Sequence, residues 1–404
     1  MFKVILRIIY YYTKDFARLA PRDKHKWVFG SATGFGDNPK YLFIQMQERH
    51  PEIRVIWVSK SKDVLKDLSG RGCEAYYWLS LKGMYHVLTA KVIVSDHSVG
   101  NINQFLSGGA FFVNLWHGSS VKRVRWQAPE LFMRQYNLKS VEEMRTSLWF
   151  RINTFNVMFR TADLCLAPST IQAKEFFAPM MNIPLEQVIV AVYPRSQFLI
   201  AGKTAAKDFI KKHEGKDTLD FVEQLESYNK VYIYMPTWRN DDCDFISQAA
   251  FDWEKLNNLM ESRNELFILK FHPFTKLNAG EITQYKNLRL YPTRCDLYAV
   301  LPFVDCLITD YSSIYTDFLT MNKEIILYVF DYDEYVKNSY ELSEYDKYFS
   351  GKRAYDFNQL LQIIGSGEDC HVPQEKYSEL MDFFWDNNES TTDIVEEVKH
   401  RIGL

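Results

Sequence analysis

The chain has no apolar run approaching the ~20 residues that cross a bilayer, so nothing in it reads as a membrane-spanning helix. It has no Cys-x-x-Cys pair. Its six cysteines, Cys73, Cys165, Cys243, Cys295, Cys306 and Cys370, are scattered and several fall in strand-like runs. That pattern excludes a disulfide framework or a zinc site and fits reduced thiols in a cytosolic protein. It also lacks a charge excess. The formal net charge of −3 gives no global reason to bind nucleic acid, so any basic surface must be local. Internal repeats and low-complexity tracts are absent, and the apolar start of the chain has no small-residue cleavage site of the kind that ends a signal peptide.

What is present is a long alternation. Short apolar runs rich in β-branched and aromatic residues recur with helical stretches between them, the pattern of βαβ units and parallel sheets. In the first half they are residues 27–30, 55–58, 75–79, 92–95, 111–116, 164–167 and 188–193; in the second, 231–235, 266–271, 288–291, 306–309 and 325–330. The chain is too long for one ordinary core. The expected fold class is therefore α/β, with two Rossmann-like, doubly wound parallel-sheet domains facing a cleft. The expected divisions are an amphipathic segment over 1–26, a first domain over 27–200 and a polar linker over 201–229. A second domain follows over 230–373, with C-terminal helices over 374–404. Sheets of this kind bind ligands beyond the carboxyl ends of their strands.

Four segments place reactive residues there. His117 and Gly118 follow the run 111–116, Thr237 and Arg239 follow 231–235, and His272 and Pro273 follow 266–271. Asp310, Ser312 and Ser313 follow 306–309, where Asp310 and Ser312 can cap a new helix while its free N–H groups and the two serine hydroxyls face an anion. Each alone is weak, since a histidine after a strand is commonly structural, Ser and Asp are ordinary caps, and Arg239 can equally pair with a local carboxylate. The pairs Asp331/Asp333 and Asp241, Asp242/Asp244 superficially resemble divalent-cation ligands. They read as solvated or structural acids, because hard cations need more oxygens, and no metal or cofactor is expected.

Taken in order, Trp116-His117-Gly118, Pro236-Thr237-Trp238-Arg239, Phe271-His272-Pro273 and Thr309-Asp310-Tyr311-Ser312-Ser313 resemble the CDP-glycerol glycerophosphotransferase family of teichoic acid primases and polymerases. The stretches 35–41 and 323–335 resemble it too. The resemblance implies a GT-B-like fold. It also implies transfer of polyol phosphate from CDP-glycerol or CDP-ribitol to a lipid-linked saccharide or polyol-phosphate acceptor, with release of CMP. It makes His117 and His272 the active-site histidines and puts Gly118, Thr237, Arg239, Pro273, Asp310, Ser312, Ser313 and Asp317 on the substrate side. The chain departs from the family in two places. Tyr193-Pro194-Arg195-Ser196 stands where a Gly-x-Pro-Arg-Asn/Asp turn is usual, and 336–348 lacks the usual Arg-Gly-rich pattern. A GT-B glycosyltransferase using a nucleotide sugar and a catalytically silent binding subunit are the rival readings.

Two segments suggest an anionic membrane surface as a further partner, at the cytoplasmic face of the bacterial cell membrane. Residues 1–12 are apolar and aromatic and lead into Lys14, Arg18 and Arg22, as an interfacial helix would. Residues 122–160 form a helical insertion whose eight Lys/Arg, among them Lys122, Arg123 and Arg125, outnumber three acids and are interleaved with Trp126, Phe132 and Trp149. For both segments the alternative is an amphipathic helix packed on its own domain.

Overall fold

The structure, a computed structural model, describes residues 2–237, 239, 245–271, 279–338 and 344–404. The chain divides into two compact units, Met1–Arg195 with Asn388–Leu404, and Ser196–Asn387.

The first unit carries a seven-stranded sheet: β1 (Asp23–Gly30), β2 (Arg54–Ser59), β3 (Ala75–Tyr77), β4 (Ala90–Ser95), β5 (Phe111–Asn114), β6 (Leu164–Ala167) and β7 (Val188–Val190). Their order is β3-β2-β1-β4-β5-β6-β7. β1 is central, with Trp27 in parallel register with Val55 on one side and Val92 on the other. Trp27, Val28 and Phe29 are wholly buried, as expected of strands covered by helices on both faces. The second unit carries a six-stranded sheet: β8 (Lys230–Met235), β9 (Glu265–Leu269), β10 (Leu288–Leu290), β11 (Cys306–Thr309), β12 (Glu324–Tyr328) and β13 (Lys352–Ala354), in the order β10-β9-β8-β11-β12-β13. Every pairing in both sheets is parallel.

The helices that matter below are α1 (Phe2–Ala17), α2 (Asp37–Arg49), α3 (Ser196–His213, kinked at Gly202), α4 (Lys216–Leu225), α5 (Ile314–Leu319), α6 (Gln374–Trp385) and α7 (Ile394–Ile402). Twelve strands lie where apolar runs predicted them. β13 escapes that signal because only Ala354 of Lys352-Arg353-Ala354 is buried, so an edge strand this short shows no hydrophobic run.

Two expected divisions are corrected. The segment 201–229 is no linker but α3 and α4 of the second unit, because its polar composition hides a stripe of Phe209, Ile210, Phe221, Val222 and Leu225 that the unit buries. The C-terminal helices do not form one element either. α6 belongs to the second unit, where Trp385 Nε1 donates to Thr316 O at 2.9 Å, and α7 returns to the first, where Lys399 pairs with Glu52.

Among the described residues no helix is long and apolar enough to cross a membrane. Four of the five described cysteines are buried, Cys73 is half-buried, and all five are free.

Candidate active site

In the first unit, chemistry-bearing groups gather where β4 and β5 end. After Asn114 the chain turns sharply, with Trp116 at φ +52° and Gly118 at φ +148°, and the turn is braced from several sides. Asn38 Nδ2 donates to Leu115 O and Trp116 O at 3.2 and 2.9 Å. Tyr193 OH donates to Gly118 O at 3.1 Å. Arg195, almost wholly buried, donates from Nη2 to His117 O at 3.0 Å and from Nη1 to Asp37 Oδ1 at 2.6 Å.

The brace leaves the His117 side chain accessible at the strand end, with Trp116 stacked on it at 4.2 Å between ring centroids. His117 Nδ1 lies 3.1 Å from the backbone carbonyl of Asp96. A carbonyl only accepts, so Nδ1 carries the proton and the Nε2 lone pair, which meets no donor among the described residues, is the one a general base would use. The protein around the ring lowers its pKa below the ordinary histidine value, chiefly by withdrawing water. Asp37 and the Asp96 carbonyl oppose that shift, and Arg195 and Arg125 reinforce it.

A second histidine lies behind the first. His97 stacks on His117 at 5.7 Å, and its Nδ1 is 3.1 Å from Arg125 Nη2. Arginine only donates, so His97 Nδ1 is the acceptor. Burial, followed by Arg125 and His117, holds its pKa down at about 4. Asp96 is buried and accepts from Ser31 Oγ, Ala32 N and Asn101 Nδ2. Burial first, and Asp37 second, push its carboxyl up to about 6.

Of these groups, sequence reasoning singled out His117 and Gly118 and missed the roles of Asp37, Asn38, Asp96, His97, Arg125 and Arg195. A usable signal existed, since Asp96 and His97 follow an apolar strand just as His117 does. Arg125 corrects an expectation. It is not a surface cation for lipid but is buried, stacked 4.8 Å from Trp116 and bonded to His97 O.

In the second unit the charged groups engage one another. Asp310 is fully buried and receives Thr237 N and Oγ1 at 2.8 and 2.7 Å on one oxygen and Arg239 Nη2 at 2.9 Å on the other. Arg239 also donates from Nε to Asp331 at 2.9 Å and from Nη1 to Thr237 O at 2.7 Å, while Tyr311 OH donates to Asp331 at 3.1 Å. The guanidinium lies 4.4 Å from the Tyr335 ring centre, and Tyr335 stacks flat on Tyr311. Burial works against the charge of Arg239, but Asp310 and Asp331 outweigh it and raise its pKa above the ordinary value.

The capping expectation for Asp310 is thereby corrected. Its oxygens are taken by Thr237 and Arg239, and the residue before α5 is Ser313, which makes no side-chain cap. Arg239 likewise holds carboxylates, the alternative open to it in the sequence. Ser312 is half-buried, Ser313 is exposed, and Asp317 is buried on α5 and accepts from Tyr298 OH at 3.2 Å. His272, Pro273, Asp241, Asp242 and Asp244 lie outside the described residues.

The family profile of CDP-glycerol:poly(glycerophosphate) glycerophosphotransferases matches residues 12–399. The chain belongs to this family. It is 24% identical over 372 residues to a teichoic acid poly(glycerol phosphate) polymerase of Staphylococcus epidermidis, covering 89% of this chain and 47% of that one. It therefore spans about half the length of that relative. Over 358 residues it is 25% identical to the polymerase of the same description from Bacillus spizizenii, covering 84% and 80%. The solved structure of a variant of the wall teichoic acid polymerase TagF superposes with a TM-score of 0.69 at 20% identity, covering all of this chain and 98% of that one. That likeness establishes the GT-B-like fold class.

Proposed function

We propose that this family member transfers glycerol phosphate or ribitol phosphate from a CDP-activated donor to a lipid-linked or polymer acceptor. CMP is released, and the product belongs to teichoic acid or a teichoic-acid-like capsule polymer. The observation that carries the proposal is the His117 ring, whose Nδ1 is committed to the Asp96 carbonyl and whose Nε2 is left to accept a proton.

In the reaction an acceptor hydroxyl oxygen attacks the phosphorus that bears the polyol, and its proton passes to Nε2 of His117. The bond from that phosphorus to the bridging oxygen breaks, and CMP leaves with that oxygen and the electron pair. A depressed histidine pKa keeps the base unprotonated at neutral pH. The Thr237–Arg239–Asp310–Asp331 network supports this reading by fixing the loops that carry Ser312 and Ser313 for the donor's phosphates, with His272 as a further donor contact. The proposal calls on no metal, and both oxygens of Asp331 are already engaged by Arg239 and Tyr311.

We also place the protein at the cytoplasmic face of the membrane. α1 exposes Ile5, Ile8, Ile9, Tyr12 and Phe16, and it rests on the insertion, where Tyr11 meets Phe155 edge-on at 5.6 Å and Leu148 and Trp149 are exposed. Incubation with CDP-glycerol, CDP-ribitol and UDP-sugars, with a lipid-linked acceptor, tests the function. CMP release with a polyol-phosphate mass added to the acceptor is the expected result, and UDP release with a sugar mass would replace the reading with a glycosyltransferase.

A further inference from the structure

At the amino ends of the first unit's strands, opposite the end that carries His117, a cavity of about 410 Å³ opens between the end of α1 and the starts of β4 and β5. Its walls hold Lys14, Arg18, Lys91 and Arg160 against one carboxylate, Asp163. Asp163 is already engaged by Phe112 N at 2.7 Å and Arg160 Nη2 at 3.3 Å. Asp15 partly offsets Lys14 and Arg18, at 3.1 and 3.9 Å. Lys91 has no hydrogen bond or ion pair among the described residues.

The floor is backbone. A Cβ at Gly108 would stand 1.7 Å from Lys14 O, and Gly109 has φ +82°, so only glycines let this turn meet the end of the helix so closely. Arg22 lies beneath it. Its guanidinium donates to the carbonyls of Val87, Ala90, Leu106 and Gly108, all of them neutral, while its buried Nε has no hydrogen-bond partner among the described residues. Burial and then the nearby Arg160 hold the Arg22 pKa down at about 10, as expected of a buried cation beside another.

We propose that this cavity binds the phosphate of an anionic lipid headgroup, docking the first unit on the membrane through α1. The inference rests on the peripheral-membrane reading above and deepens it by naming the recognition site. The cavity's excess of positive charge specifies a phosphate-bearing anion. The helix specifies a lipid as its source. Ile5, Ile8, Ile9, Tyr12 and Phe16 recur at helical spacing as one exposed stripe on the element that brings Lys14 to the cavity, with exposed Leu19 just beyond it. A soluble phosphate has no use for that stripe, whereas a lipid offers a charged head and an acyl tail side by side.

The test uses the full chain with vesicles of phosphatidylglycerol or phosphatidylcholine. It reads vesicle partition and the acetylation of Lys91 by an amine-reactive ester, followed by mass spectrometry. Phosphatidylglycerol, and not phosphatidylcholine, is expected to protect Lys91 several-fold. Arg18→Glu with Lys91→Glu is expected to weaken partition about tenfold or more, with Arg18→Lys with Lys91→Arg close to wild type. CMP release on a soluble acceptor analogue stays unchanged in both variants, since neither residue lies near His117.

If the wild type partitions and the charge reversal partitions equally, or if Lys91 acetylates at the same rate with and without vesicles, the cavity is not the site and the membrane reading stands on α1 alone. Absence of partition in the wild type sinks the membrane reading, and this proposal with it. Protection by inorganic phosphate to the same extent as by phosphatidylglycerol would make the cavity a soluble-anion site and overturn the lipid assignment.

Discussion

The two units place polar motifs at the same position, just past the carboxyl ends of parallel strands, and use them in opposite ways. In the first unit a brace of Asn38, Tyr193 and Arg195 fixes the turn from outside and leaves the His117 ring with a free nitrogen. In the second unit Thr237, Arg239, Asp310 and Asp331 consume one another's hydrogen-bonding capacity. A motif residue can thus keep an open nitrogen or be spent on holding its neighbours, and a strand-end position does not distinguish the two. What distinguishes them is whether neighbours have satisfied the group.

The largest effect that would break this comparison is on turnover. His117→Ala is expected to lower the rate of CMP release by about 10²–10⁴-fold, the range for loss of a general base, with CDP-donor affinity nearly intact. His272→Ala and Ser312→Ala are expected to weaken donor binding as well. Equal loss of CDP-glycerol affinity in His117→Ala and His272→Ala, with both folded, would dissolve the division of roles. The pH profile sharpens the point. Because the His117 pKa is lowered, the acid limb of kcat/KM should fall below about pH 6.5, and a limb above that value would contradict His117 as the base.

The frame should answer through stability instead. Arg239→Ala leaves Asp310 and Asp331 facing each other inside the second unit, and removing one partner of such a buried network costs about 3–5 kcal/mol. Arg239→Lys should recover little, because one ammonium cannot span Asp310, Asp331 and the Thr237 carbonyl as the fork does. Urea unfolding measures both, and a loss under about 1 kcal/mol in Arg239→Ala would show that the network is not the frame.

A smaller effect belongs to Asp96, behind His117. Folded, its carboxyl holds a proton up to about pH 6, against an ordinary value of 3.8. The folded chain therefore binds more protons than the unfolded one between those limits. Stability should fall by something on the order of 3 kcal/mol as pH rises from about 4 to about 6, and then level off. Asp96→Asn should flatten that slope. An unchanged slope in the variant would mean that Asp96 is not the titrating group.

The fold was legible in the sequence because buried parallel strands are nearly continuous apolar runs, and twelve of them announced themselves. The edge strand β13 did not, having almost nothing to bury. The junction was misjudged because α3 and α4 present a polar majority around a narrow apolar stripe, and composition averages that stripe away. The strand-end position of His117 was legible from its place after β5. The brace was not, because Asn38 and Arg195 lie 157 residues apart and meet only through the fold. Arg125 misled for a related reason, since a cation in a basic run reads as surface until His97 and Trp116 are seen to enclose it.

That last contrast sets the smallest prediction. Within the insertion, Arg123 is exposed and Lys122 half-buried, whereas Arg125 lies inside the first unit. Reversing all three charges would confound membrane attraction with damage to the His97 pocket. Lys122→Glu with Arg123→Glu separates them. At about 1 kcal/mol for each cation near an anionic surface, partition onto phosphatidylglycerol vesicles at low salt should fall by roughly thirtyfold or more and turnover on a soluble acceptor should hold. The difference should shrink at 0.5 M salt, where screening extends over only a few ångströms. Arg125→Glu should instead lower the melting temperature and the rate together, because a carboxylate there faces the His97 carbonyl and leaves Trp116 without its cation. If Lys122→Glu with Arg123→Glu changed turnover on the soluble acceptor as much as vesicle partition, the exposed cations would belong to the His117 site and the insertion would not be a membrane-facing surface.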